Sequence, residues 1–290
     1  MPNVNEIRQH IGAVEQTSKI TGAMEMVSSN RMRRVMSHIE YNKQYFDHIR
    51  SSMREILDTS EGFTNPYLTI KENGRRTYIV ITADKGLCGA YNSNVIELAE
   101  QCLAEYPDSS LITVGNTGEE YFRRSGRPAD VSMLGIVQDP TMKAARRFMR
   151  EVMALYDNGL TDEIHIVFTA FYGSRKNQAI ELRVLPIILP DYVDVPDHYK
   201  DRELIYHPSP EAVFDELVPQ YILGLLFGVM VQAYASEHYS RMNAMHSSTQ
   251  NANDMLKALK TQYNMARQAS ITNELSEITG AAEILRKGNE

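Results

Sequence analysis

The chain has 290 residues, 43% of them apolar and 23% charged, with a net charge of −7. This composition supports one or two domains with a buried core, excludes general disorder, and argues against binding nucleic acid over the whole surface. Two cysteines, Cys88 and Cys102, have neither the paired spacing of a zinc site nor the density of a disulfide framework, so a reducing compartment fits best.

The opening MPNVNEIRQHIGAVEQ lacks the apolar core of a secretory signal and carries acids that a transit peptide avoids, so the chain is expected to stay where it is made. No proline occurs between Asn3 and Asn65. Alternating steps of four and three run Ile7, Ile11, Val14, Ser18, Thr21, Glu25, Ser28, Met32, Val35, Ile39, Asn42, Phe46, Ile49, Met53 and Ile56, which is a coiled-coil seam. The seam lapses between Ser18 and Ser28, where Ile20, Met24 and Val27 are expected to carry it on a neighbouring stripe. Arg31, Arg33 and Arg34 either meet carboxylates of a partner or form a solvated face.

The middle of the chain alternates. Apolar, β-branched runs at Thr77–Thr82, Leu111–Val114, Glu163–Phe171 and Leu182–Leu189 read as strands, with helical stretches at Ser93–Glu105 and Met142–Tyr156. That order predicts a small α/β domain with a largely parallel sheet. Pro186, Pro190, Pro196, Pro208 and Pro210 mark the exit, and Ser209-Pro210-Glu211 has the order of a helix start: capping hydroxyl, proline, acid. Pro219 is expected to kink or restart this last helix, in which Tyr221–Ala235 reads as a buried segment too short for the roughly 20 residues of a membrane span. Ile271, Leu275, Ile278, Ala282 and Leu285 again step by four and three.

A last helix of this length would run on the order of 100 Å at about 1.5 Å per residue, against a radius of gyration of roughly 19 Å for a compact chain of this size. The predicted fold is therefore an antiparallel two-helix coiled coil from residues 1–60 and 209–287, with a Rossmann-like α/β domain over 75–195 inserted between them. Rods of this kind transmit, space or couple.

Chemical motifs are weak. The loop Asp84-Lys85-Gly86-Leu87-Cys88-Gly89 follows a strand but matches neither dinucleotide nor phosphate-loop spacing, so its glycines are better read as turn residues. Cys88 has no histidine, asparagine or second cysteine close enough in sequence to make it a nucleophile, and reads as a packing thiol. The eight histidines are scattered without HxxxH or HExxH, so no metal site is expected. Methionines such as Met24, Met32, Met242 and Met265 are core filling or adaptable contact surface.

Four segments resemble the gamma subunit family of F-type ATP synthases: Thr17–Val27 (TSKITGAMEMV), Ile81–Asn94 (ITADKGLCGAYNSN), Ser236–Met245 (SEHYSRMNAM) and Ala266–Ile278 (ARQASITNELSEI). Together they span nearly the whole chain in order. The resemblance implies a central stalk: a coiled coil inside a hexamer of alternating alpha and beta subunits, with the α/β domain near a membrane c-ring and the epsilon subunit. It implies coupling by rotation, with no catalysis, cofactor or metal of its own, no nucleic acid and no direct membrane insertion, at the cytoplasmic face of a bacterial plasma membrane. Carried over by position, Arg267, Gln268, Thr272, Met24 and Arg241 would meet beta subunits, and Tyr206 and His207 would dock on the ring. Gly22 and His246 stand where lysine is common in the family, and His207 where an acid is common. Two other classes are a coiled-coil adaptor and a nucleotide-binding α/β protein.

Overall fold

The computed structural model describes residues 4–60, 63–71, 74–173, 177–188 and 206–287, with side chains for all of these except 40, 59 and 281–287. Pro190, Pro196, the end of the domain expected over 75–195 and the side chains of Ala282 and Leu285 lie outside the described residues. Helix α1, Val4–Thr59, and the last helix, α5, Pro210–Lys287, are the two long elements. At the start of α5 the Ala212 amide donates to the Ser209 hydroxyl at 3.3 Å, and the same hydroxyl holds the Glu211 carboxyl below its ordinary range. The helix does not restart at Pro219 but runs through it. A proline inside a helix costs about 3 kcal/mol. Full burial of Phe214, Val218 and Ile222 on the flanking turns offsets that loss.

By its contacts the chain divides into two compact units, Ser28–Arg241, and Met1–Val27 with Met242–Glu290. The larger unit holds a five-stranded sheet in the order β3-β2-β1-β4-β5. Its strands are β1 (Arg76–Ile81), β2 (Ser110–Val114), β3 (Val131–Met133), β4 (Glu163–Ala170) and β5 (Gln178–Leu185). All neighbours are parallel except β4 and β5. Between strands come α2 (Tyr91–Glu105), α3 (Asn116–Arg124) and α4 (Met142–Asp157). Sequence reading missed α3 and β3: one is short and mostly polar, the other has three residues.

The two faces of β1 separate the core. Ile79 and Ile81 join a cluster with Met53 and Ile56 of α1, Phe148 and Val152 of α4, and Phe214 to Ala235 of α5. Tyr78 and Val80 face α2 and α3 through Val95, Ala99, Leu103 and Phe122. This alternation is the two-residue period of a strand covered on both sides. The turn after β2 needs glycine, because Gly115 has φ +97 and a Cβ there would lie 2.1 Å from the Thr82 carbonyl oxygen. In the α1–α5 packing of this unit, Gly224 and Gly228 face Phe46 and Asn42, and the Asn42 amide donates to the Gly224 carbonyl at 3.1 Å. Helix α5 contains a window apolar enough to cross a membrane, 67% buried inside the protein; Tyr221–Ala235 is core.

The smaller unit is a helix pair. Ile7 and Val14 pack with Ala252 and Leu259. Ser18 bonds Asn253 at 3.0 Å, Thr21 bonds Thr249 at 2.7 Å, and Glu25 meets His246 at 3.0 Å, so partners fall in number as α1 rises and the pair is antiparallel. The seam does not pass to Ile20 and Val27, which are exposed; Thr21 and Ser28 stay buried on the original stripe. Small hydroxyl and amide side chains that bond across the pair hold it close without apolar bulk.

Candidate functional site

The loop between β1 and α2 lies at the carboxyl end of the central strand, where open α/β sheets commonly bind ligands. Here α5 fills that place. Arg241, a residue only 7% exposed, donates through its guanidinium to the carbonyl of Lys85 at 3.2 Å and, through Nε, to that of Gly86 at 3.4 Å. Its other partners are the Glu237 carboxylate at 2.7 Å and His238 Nδ1 at 3.2 Å. Because arginine only donates, His238 Nδ1 carries no proton, and burial together with Arg241 and Arg31 lowers the imidazole to about 3. Burial pushes the Glu237 carboxyl up, against the pull of Arg241.

Toward Arg241 this loop turns carbonyl oxygens, whereas a phosphate cradle offers amide hydrogens. Asp84 closes its flank by accepting from the Asn116 amide at 2.9 Å and from Gln138 at 2.7 Å. Cys88 is buried, and burial raises its thiol, as a packing cysteine requires. It does have an asparagine partner: Asn92, one helical turn on, donates to Sγ at 3.3 Å and accepts the Ala83 amide at 2.9 Å. The turn that folds residues 88 to 92 together brings it there.

The smaller unit carries the other candidate surface. Arg267, Gln268 and Thr272 are all exposed on α5. Extending the antiparallel pairing from Glu25–His246 and Glu15–Lys260, α1 begins opposite this part of α5, and the residues beyond it have no α1 partner among the described residues. Ile271, Leu275 and Ile278, at four-and-three spacing, are 45%, 58% and 65% exposed. Ile20, half-buried Met24 and Val27 form a second outward stripe on α1. Met24 lies level with residues near His246, some twenty residues and about 30 Å along the helix from Arg267, so the two do not share one spot.

In the larger unit Tyr206 is half-buried against the core and His207 beside it is exposed. Arg31, Arg33 and Arg34 are exposed. His246 meets the Glu25 carboxylate through Nδ1 and Gln250 through Nε2, both at 3.0 Å. A Cβ at Gly22 would meet nothing within 4 Å. Glu237 and His238 fall within the Ser236–Met245 motif, and their i,i+4 and i,i+3 spacing to Arg241 is the sequence signal for that cluster; the fold adds the contact of Arg241 with the β1–α2 loop.

An α/β body closed over its own ligand-binding end, and a helix pair with outward apolar stripes, define a structural coupling subunit. Comparison with known proteins agrees. The ATP synthase family model matches residues 3–285. The ATP synthase gamma chain of Acetivibrio thermocellus is 35% identical, over 99% of this chain and 100% of that one. The sodium-ion-specific gamma chain of Acetobacterium woodii is 34% identical, over 98% and 99%. A chain of the Euglena gracilis mitochondrial ATP synthase superposes with a TM-score of 0.72 at 17% identity, over 99% of this chain and 96% of that one. The chain belongs to the ATP synthase gamma chain family.

Proposed function

We propose that this chain is the central-stalk rotor of an F-type ATP synthase, coupling ion flow through a membrane c-ring to ATP synthesis or hydrolysis in a hexamer of alpha and beta subunits. It catalyses nothing itself: each nucleotide site would respond to which side of an asymmetric rod it meets, a coupling by differential contact with discrete states. The observation that carries this reading is the apolar stripe Ile271, Leu275 and Ile278, exposed on α5 past its partner helix. Such a stripe needs a sleeve.

Within this reading Arg267, Gln268 and Thr272 hydrogen-bond acidic loops of beta subunits, with Met24 under their moving domains; a guanidinium fork and an amide grip and release carboxylates without covalent chemistry. Arg241 supports the same contact. Tyr206 and His207 lie on the side that docks on the c-ring, with the epsilon subunit alongside. The complex sits peripherally on the cytoplasmic face of the plasma membrane. A Leu275→Cys variant tests the sleeve, since both native cysteines are buried. In the purified complex its thiol should react with maleimide at least about tenfold more slowly than an exposed thiol, as burial in an interface demands. Labelling at the rate of an exposed thiol would contradict the assignment.

A further inference from the structure

We propose that Glu237 and His238 are positioning residues that act through Arg241 to hold the β1–α2 loop shut and keep Leu87 facing outward. Leu87 is the one described non-glycine residue with positive φ, +61, and the residue is 64% exposed. A branched residue in the left-handed region persists only where its surroundings impose it. Those surroundings are built from both sides. Behind the loop, Ala83, Cys88 and Tyr91 form a small buried cluster. In front, Arg241 gathers the carbonyls of Lys85 and Gly86, the two residues before Leu87.

Arg241 could not take this place alone, because a buried guanidinium without a counter-charge is strongly disfavoured. Glu237, one turn earlier on α5, supplies the charge at 2.7 Å, and neutral His238 accepts at 3.2 Å through the nitrogen that bears no proton. Among the described residues the partners of Arg241 are two carbonyls, one carboxylate and one imidazole, and they leave it only 7% exposed. Under the stalk reading, on which this last step rests, Arg241 acts on a partner through the loop it holds and not by touching that partner.

The two cysteines give a built-in readout that does not depend on the stalk reading. Cys88 lies in the held loop, and Cys102 lies on α2 facing Glu181 of β5. Maleimide labelling of the full-length chain is followed at each cysteine by mass spectrometry. In Glu237→Ala, Cys88 should label about tenfold faster while Cys102 is unchanged, because only a local opening is made easier. Glu237→Gln, which keeps an acceptor oxygen, should accelerate Cys88 by less. Arg241→Lys keeps the charge but cannot span both carbonyls, and should accelerate Cys88 as well. No acceleration of Cys88 in any of the three, or equal acceleration of both cysteines in Glu237→Gln and Arg241→Lys, would overturn the proposal.

Discussion

His238 shows how one buried nitrogen ties the fold to pH. Its folded-state value of about 3 lies below the ordinary 6.5, chiefly through burial and then through Arg241 and Arg31. Between those two values the unfolded chain binds a proton that the folded chain does not, so stability is complete above the ordinary value and declines as pH falls toward the folded one. Urea unfolding midpoints at about pH 7 and about pH 5 should therefore differ, and His238→Asn, which keeps an acceptor but does not titrate, should reduce the difference. An unchanged pH dependence would place the acid sensitivity elsewhere. Little of this environment was legible beforehand. The residues 236–245 stand out as a motif, and the i,i+4 and i,i+3 spacing of Glu237 and His238 to Arg241 puts all three on one helix face, but nothing in composition or spacing says that Arg241 meets a loop some 150 residues earlier. The same holds on β4, read correctly as a strand, where the outcome of Glu163 and His165 pairing inside the core depends on β1 and β5.

At the level of elements, periodicity decided most of the outcome. Both long helices, the strands β1, β2 and β4 and the Ser209-Pro210 helix start were visible because each is a local pattern: seam spacing, β-branched runs, a capping hydroxyl. What failed was where tertiary contact outweighed local preference. The helix does not restart at Pro219, whose flanking turns are buried, and the seam between Ser18 and Ser28 is kept by hydrogen-bonding side chains that apolar periodicity ignores. The α1–α5 packing in the larger unit yields a further test. A Cβ at Gly224 would stand 3.1 Å from the Phe46 ring, which is stacked on Tyr221 at 4.9 Å and so has little room to yield. Gly224→Val should therefore lower stability by about 1–3 kcal/mol in urea titration. A loss below about 0.5 kcal/mol would mean that the helices separate there without strain.

On the scale of the whole molecule, each unit has a distinct place in the account. In the larger unit the loop at the end of the central strand is held by Arg241 of α5, with its carbonyl oxygens turned toward that arginine. The smaller unit leaves apolar stripes uncovered, which a solitary soluble protein would avoid. Membership of the ATP synthase gamma chain family joins these observations, since an asymmetric helix pair inside a ring of subunits needs both. The most direct measurement is the composition of the complex that forms on this chain: purify it with a tag from its own cells in mild detergent, and determine the subunit ratio by mass spectrometry. The account predicts about three alpha and three beta subunits for each copy, as a single rotor in a hexamer of two alternating subunits requires. Recovery as a free monomer or a homodimer would contradict it.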